Sequence, residues 1–448
     1  MKLKQIRHYV TTSAGLLILL CTLIKLIAEL VQYAHGSPRA FTDVPRAEPD
    51  QVFFDLRILS HNGSSCDISI PEISPERHCA SDLYPFNYPT FGLWIVRLIG
   101  IGADSTSSFG VVLGVTTIAL VTVFFLQRFQ EVVPNKAAGL FVFIFLILSL
   151  NSFALRYALE RGQVDLLVLD LVLVPLIFPF PRRNLIGGIT KGYIGLSLGL
   201  ILSSLIKIFT FPALLVINLL ETLALVKRRR NTLFILLLWT TTILSGISLV
   251  RPIEISRAIN MSGLGGHGFG LDVLLNAGYI TDADSGLSLK VVFFGLGLAL
   301  FLRTVLVKLK SLSFQHRRHP IKLFHASGTS FRDLGPSELY IIVSTMIFTP
   351  LYLATESINY KWIFLLPTLG CLIALASKTS AAIRVKLYYL IAIIAMSQAF
   401  LSYPFSPTTY VYLEWLAHFA MHPFIAGGLC GLSLHLIANN KGYVGQHN

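Results

Sequence analysis

The residues of this chain whose types and spacing could do chemistry fall into four groups, each set against apolar sequence. The run Glu160-Arg161-Gly162-Gln163-Val164-Asp165 separates two hydrophobic stretches. Arg161 and Asp165 stand four apart, a spacing that lets opposite charges pair on one helical face. The alternative is an Arg161 that points into a cavity and grips a phosphate with its planar fork of donors. Lys207 lies between two apolar runs, with Pro212 marking a break just after it. It is either a lysine snorkelling from a helix end or an ammonium held against an anionic head group. Asn359-Tyr360-Lys361-Trp362 opens a further run. Its Tyr and Trp suit a membrane interface, whereas Lys361 goes against the charge rule for that side. The fourth group is acidic: Asp43, Glu48, Asp50 and Asp55. Each alone reads as a solvated loop acid, but a carboxylate within hydrogen-bond reach of an acceptor hydroxyl can take its proton.

Other chemistries find no support. There is no glycine-rich phosphate loop followed by Lys-Ser or Lys-Thr, no His-Glu-x-x-His helix and no Gly-x-Ser-x-Gly elbow, which argues against nucleotide hydrolysis, zinc chemistry and a serine nucleophile. His418 and His422 are four apart but lack a nearby acid, so no metal site is expected. Cys66 and Cys79 share the first long loop and would form a disulfide in an oxidising compartment, the alternative being two thiols. Cys21, Cys371 and Cys430 lie in apolar runs and are expected to be packing residues. Asn62-Gly63-Ser64 has the form of a glycosylation acceptor, a pattern common by chance.

The elements that must position these residues are membrane helices. Of 448 residues 54% are hydrophobic and only 13% charged, with a mean hydropathy of +0.69, too apolar for a core inside a wetted surface. Apolar runs of roughly 17 to 23 residues recur, the length that a hydrocarbon slab of about 30 Å requires of a helix. The shorter alternating strands of a barrel are absent. We read an all-α polytopic membrane protein with spans near 10–32, 108–127, 136–152, 164–180, 188–206, 208–226, 231–250, 286–307, 338–355, 361–377, 386–402 and 415–437. The first is expected to be an uncleaved signal anchor.

The net charge of +13 is spread over short connections rather than gathered in one patch. It therefore reads as topology, not as nucleic-acid binding. With a cytoplasmic N-terminus, the basic connections 128–136, 182–191, 227–230 and 378–386 all fall inside, as does the long basic loop 308–337. The C-terminus is then also cytoplasmic. Two large loops, 33–107 and 251–286, fall outside. Within the first, residues 88–101 are apolar and aromatic but too short to span, and are expected to lie along the interface. The second carries Gly263, Gly265, Gly266, Gly268 and Gly270, which would make it mobile or tightly turned. The chain thus reads as one transmembrane domain, 1–448, with its unusual polar groups on the outer side. No tandem or inverted repeat is evident, which counts against a transporter built from two halves.

Four features in this order carry a resemblance: the early acids of a long first outer loop; Asp82-Leu83-Tyr84-Pro85-Phe86-Asn87-Tyr88-Pro89-Thr90-Phe91; the turn 160–165; and Leu205-Ile206-Lys207-Ile208-Phe209-Thr210-Phe211-Pro212. Together they resemble bacterial polyprenol-phosphate-sugar-dependent glycosyltransferases of the GT-C superfamily, nearest to glycosyltransferase family 87, whose members include mannosyltransferases. The segment 359–367 is similar to one in related proteins of polysaccharide gene clusters. The resemblance covers most of the first 230 residues. It implies a GT-C-like bundle in the cytoplasmic membrane. It also implies transfer of a single sugar from a polyprenyl-phosphate carrier to a glycan or glycolipid acceptor at the extracytoplasmic face. A first-loop carboxylate would be the general base. The family's start of that loop matches Asp50 with Phe54 where an aromatic Tyr is usual, and Asp55 fits the neighbouring register. Arg161, Gln163, Lys207, Tyr360 and Lys361 would contact the donor. No cofactor beyond the lipid-linked sugar is implied, and a divalent metal is not expected. A lipid-linked oligosaccharide polymerase or ligase is the nearest rival, and a flippase or transporter a more distant one.

Overall fold

A computed structural model describes residues 3–35, 53, 56, 98, 105–132, 136–178, 191–227, 232–249, 268–269, 283–315, 334–354, 357–401, 416 and 420–439. Among them the chain forms thirteen α-helices: α1 Leu3–Ala34, α2 Thr106–Val132, α3 Lys136–Leu150, α4 Phe153–Arg161, α5 Val164–Ile177, α6 Lys191–Ile206, α7 Phe211–Lys227, α8 Thr232–Leu249, α9 Ala283–Gln315, α10 Pro336–Ala354, α11 Leu366–Lys378, α12 Ala381–Leu401 and α13 His422–Asn439. Two 3-10 segments, Ile208–Thr210 and Asn359–Leu365, join helices, and two short strands, β1 Gly268–Phe269 and β2 Ser357–Ile358, pair with each other. Each apolar run read from the sequence overlaps one α-helix among the described residues, the runs 208–226 and 361–377 starting in the 3-10 segments, and α4 is the additional helix. Among the described residues five stretches, Ala14–Ala34, Thr106–Val132, Ala137–Arg161, Lys290–Val307 and Ala381–Gln398, are long and apolar enough to cross a membrane. The protein is a polytopic membrane protein, almost entirely helical among the described residues. Many of its exposed side chains are Leu, Ile and Val, including Leu16, Leu17, Leu236, Ile247 and Val291, the outer surface expected where lipid replaces water.

Close backbone approach holds this bundle together, since lipid-exposed helices gain little by hiding apolar surface from each other. A Cβ added at Gly297 of α9 would run into the Phe424 carbonyl of α13, and one at Gly427 of α13 into the Phe294 carbonyl of α9. Gly431 likewise faces the Leu298 carbonyl. Glycine at these places lets the two backbones touch. Another contact of this kind has a covalent cause. Pro175 in α5 has no N–H to offer the Leu171 carbonyl one turn earlier, and Gly199 of α6 packs its backbone onto that carbonyl. Polar bonds across α6, α7 and α8 add to this: Ser197 donates to the Asn218 carboxamide oxygen at 3.2 Å, Asn218 Nδ2 to Thr242 at 2.5 Å, and Trp239 Nε1 to Thr222 at 2.9 Å.

Helix α2 sets the distance between the two ends of the bundle. Gly110 and Arg128 are eighteen residues apart on it, about 27 Å at 1.5 Å per residue. At the Arg128 end, Arg128 Nη1 pairs with Glu131 at 2.6 Å and donates to Ser337 Oγ at 2.8 Å, while Lys378 Nζ reaches Glu131 at 2.7 Å. The Arg128 guanidinium also lies over the Phe124 ring, 4.9 Å from its centre. This ties the C-terminal ends of α2 and α11 to the start of α10. Arg128, Ser337 and Lys378, at the ends of the connections 128–136, 308–337 and 378–386 placed on one side from charge alone, therefore meet at one end. Of the segment expected along the interface, 88–101, only Leu98 is among the described residues, and it is helical and exposed. Cys371 is buried and Cys430 partly so, but Cys21 is exposed on α1 and faces lipid rather than packing inside.

Candidate active site

The turn 160–165 is a break between two helices, and its geometry decides what Arg161 and Asp165 can do. Helix α4 starts at Ser152, whose hydroxyl accepts the Leu155 N–H at 3.3 Å, the usual N-cap bond. It ends where Gly162 adopts φ +61. The Gly162 N–H then reaches the Leu159 carbonyl at 3.1 Å and the Gln163 N–H the Ala158 carbonyl at 3.0 Å, a Schellman closure that favours glycine. Helix α5 starts afresh at Val164. Arg161 and Asp165 are therefore on different helices, and the four-residue spacing does not put them on one face. Asp165 is fully buried, and its ion-pair partner is Lys207, with Nζ 4.0 Å from Oδ1.

Lys207 is fixed in the gap between α6 and α7. Its N–H closes the last turn of α6 on the Ser203 carbonyl at 2.7 Å, and its carbonyl accepts the Thr210 N–H at 3.3 Å. The Thr210 hydroxyl lies 3.0 Å from the Lys207 carbonyl and 3.1 Å from Ser204 Oγ. Pro212 then sits in the first turn of α7, where a missing N–H costs nothing. The Lys207 side chain is 9% exposed, so it is buried in protein and does not snorkel to a surface. At 4.0 Å the pair is held by charge without a direct hydrogen bond, and neither Asp165 oxygen has a hydrogen-bond partner among the described residues. The same holds for Oε1 of the buried Gln163. Lys207 thus brings a buried cation to this turn, with Asp165 as its counter-charge.

The first long loop reaches this turn. Phe53 is completely buried and has φ 52, a left-handed backbone that costs a bulky residue on the order of 1–3 kcal/mol. Its ring packs edge-on against Tyr33 of α1, centres 5.5 Å apart. A Cβ at Gly110 would come within 2.6 Å of the Phe53 ring, and one at Gly162 within 2.9 Å of Phe53 Cβ and 3.1 Å of Leu56 Cβ. Phe53 and Leu56 are thus seated on the glycine between Arg161 and Gln163.

The third group, Asn359 to Trp362, lies in the 3-10 segment Asn359–Leu365, which packs against α4, α5 and α11. Phe364 meets Phe209 edge-on at 5.7 Å, which joins this segment to the Lys207 turn, and Tyr340 Oη donates to the Phe364 carbonyl at 2.9 Å. Trp362 is fully buried between Phe348, at 5.4 Å, and His422, at 4.7 Å. Just before the segment, Ser357 and Ile358 pair antiparallel with Phe269 and Gly268. The glycine-rich loop expected to be mobile or tightly turned therefore contributes a strand beside Tyr360 and Lys361.

Arg161, Gln163 and Lys207 are thus gathered around one turn. Tyr360 and Lys361 are described in their backbone alone, on the neighbouring 3-10 segment. Asp50, Asp55, Cys66 and Cys79 lie outside the described residues. Two acids were missed in the sequence. Asp165 was considered only as a partner for Arg161, and its lysine stands 42 positions away. Asp170, in the middle of α5, accepts a hydrogen bond from Thr117 of α2 at 3.0 Å; an ionisable residue inside an apolar run was the signal for it.

No family model matches the chain, and no curated protein is similar to it. Among solved structures, it aligns with ArnT from Cupriavidus metallidurans in the apo state over 96% of this chain and 78% of that one, at 11% identity and a TM-score of 0.38. That likeness is too loose to carry an argument about this site.

Proposed function

We propose that the protein is a membrane glycosyltransferase of the GT-C kind, near family 87, that moves one sugar from a polyprenyl-phosphate carrier to a glycan or glycolipid acceptor. The observation that carries this reading is the buried Lys207 cation beside the Arg161-Gly162-Gln163 turn, on which Phe53 and Leu56 of the acid-bearing loop are packed. Such a transfer needs positive charge where the leaving phosphate gathers negative charge, and a base where the acceptor hydroxyl loses its proton. Preorganised charge of this sort supplies a large share of catalysis. Phosphate binding falls to Lys207 and Arg161, supported by Lys361 and Tyr360, and Gln163 contacts the phosphate or the sugar.

In the reaction, Asp50, or Asp55 in the neighbouring register, takes the acceptor's proton. The acceptor oxygen attacks the anomeric carbon, the bond from that carbon to the phosphate oxygen breaks, and the electron pair leaves with the polyprenyl phosphate. Direct displacement inverts the configuration at that carbon. The site end of the bundle faces away from the cytoplasm, a reading supported by the basic connections that meet at the opposite end. The donor is a lipid-linked sugar, and no nucleotide sugar takes part.

The test is purified protein in lipid discs, given a polyprenyl-phosphate monosaccharide and an acceptor. A product lengthened by one sugar supports the reading. Transfer of a block from a polyprenyl diphosphate, or transport with no covalent product, contradicts it.

A further inference from the structure

We infer that Gln163 and Asp165 hold hydroxyl groups of the transferred sugar and so determine which sugar the site accepts. This rests on the proposed glycosyl transfer and deepens it.

Three oxygen atoms at the start of α5 carry the inference. Gln163 is 2% exposed and Asp165 0%, and Gln163 Oε1, Asp165 Oδ1 and Asp165 Oδ2 are buried with no hydrogen-bond partner among the described residues. A buried acceptor has given up its bonds to water, and folded proteins keep few such atoms unpaired. Neither side chain is used in building the helix. Gln163 is the N-cap of α5, yet its side chain accepts no N–H from the first turn, and the Leu166 N–H goes to the Gln163 main-chain carbonyl at 3.0 Å. Asp165 balances the charge of Lys207 from 4.0 Å, beyond hydrogen-bond distance, so its lone pairs stay open to a donor.

These oxygens therefore ask for a neutral group with a proton to give. A phosphate is excluded, because its oxygens are themselves acceptors and the Asp165 carboxylate repels them. A metal ion is disfavoured, because the Lys207 ammonium already faces Asp165 and repels a second cation. Among the described residues, no three His, Cys, Asp or Glu side chains gather to hold such an ion. A sugar hydroxyl meets the requirement, since it is uncharged and donates its proton. A lipid-linked sugar phosphate brings both chemistries to one turn, its phosphate to Lys207 and Arg161 and its hydroxyls to Gln163 and Asp165. Side chains two positions apart at a helix start point in different directions, so the two residues take different hydroxyls. A site built to receive a hydroxyl rejects a sugar that lacks it, because the buried acceptors are then left unpaired.

The experiment is calorimetric titration of full-length protein in lipid discs with dodecyl phosphate and with its mannose, glucose, galactose and arabinose esters. Wild type, Gln163→Met and Asp165→Asn are compared. The affinity added by the sugar separates hydroxyl contacts from the phosphate contact that all five ligands share. We expect at least one ester to bind the wild type roughly 10- to 100-fold more tightly than dodecyl phosphate, the range expected for one or two hydrogen bonds to buried polar or charged groups. Gln163→Met keeps the length of the side chain and breaks no helix bond. It should remove roughly 10-fold of that difference with affinity for dodecyl phosphate unchanged. Asp165→Asn keeps the shape and removes the charge that faces Lys207. It should remove the difference while binding dodecyl phosphate as tightly as the wild type, or more tightly. A merely structural role weakens all five ligands together, and that result in either variant overturns the role given to that residue. Wild-type protein that binds dodecyl phosphate and every ester equally overturns the inference and leaves these acceptors to ordered water. Wild-type protein that prefers a sugar ester but transfers no sugar refutes the proposed function and leaves the sugar contact standing. Wild-type protein that binds none of the five refutes both.

Discussion

Lys207 Nζ stands 4.0 Å from Asp165 Oδ1, and the two side chains are 9% and 0% exposed. A pair this deeply buried repays its desolvation only while both members are present; removing one leaves an uncompensated charge and costs about 3–5 kcal/mol, whereas replacing both by apolar groups is often neutral. Lys207→Ala should both weaken donor binding and lower the unfolding temperature. Lys207→Met with Asp165→Asn should recover most of the stability and none of the binding. Calorimetry beside donor titration separates the two effects. Wild-type donor affinity in the double variant would reduce Lys207 to a structural residue.

Gly162→Ala combines two costs at one position. An alanine at φ +61 pays about 1–2 kcal/mol for its left-handed backbone, and its Cβ meets Phe53 Cβ at 2.9 Å. We expect sugar transfer to fall much further than stability, since Phe53 and Leu56 would be displaced from the glycine between Arg161 and Gln163. A loss of stability with activity intact would argue that the turn only closes α4.

The α9–α13 contact gives a contrast between glycines two residues apart. Gly297→Leu should drive α9 and α13 apart and lower the thermal midpoint by several degrees, because a side chain there meets the Phe424 carbonyl. Gly295 has nothing within 4 Å of its Cβ position. Gly295→Ala should be neutral or raise stability by about 0.5–1 kcal/mol, as expected for glycine replaced in a helix interior. Thermal unfolding in detergent checks both, and equal losses would refute the packing account.

At the opposite end, Glu131 joins Arg128 and Lys378. Glu131→Gln leaves the buried Arg128 without its anion and should be clearly destabilising. Lys378 is 43% exposed, and Lys378→Ala should cost no more than about 1 kcal/mol. Neither change should alter donor KM, because the site lies about 27 Å along α2. A rise in KM would show coupling between the two ends.

How much of this could be read from the sequence depends on the range of the forces involved. Helices were legible because apolar run length and bilayer thickness are local matters, so each expected span overlaps an α-helix among the described residues. The break at Lys207 was legible from Pro212. Helix α4 was missed because its nine residues, Phe153–Arg161, carry charge at 156, 160 and 161, although Ser152 followed by a helical pattern was a visible start signal. The pairing of Asp165 with Lys207 and the seating of Phe53 between Gly110 and Gly162 join residues 42 to 109 positions apart, and no local pattern encodes them. The strand at Gly268–Phe269 was hidden for the opposite reason. Its glycines read as freedom, whereas its backbone is paired with Ser357 and Ile358.

The most direct test of the central claim is donor specificity in a purified system: wild-type protein and Lys207→Ala, each in lipid discs with a polyprenyl-phosphate monosaccharide, followed by mass analysis of the acceptor. The account predicts a gain of one sugar in the wild type, with release of polyprenyl phosphate, and a strong loss of product in the variant at limiting donor. Wild-type protein that adds no single sugar from this donor, or a variant that matches the wild type at limiting donor, would contradict it.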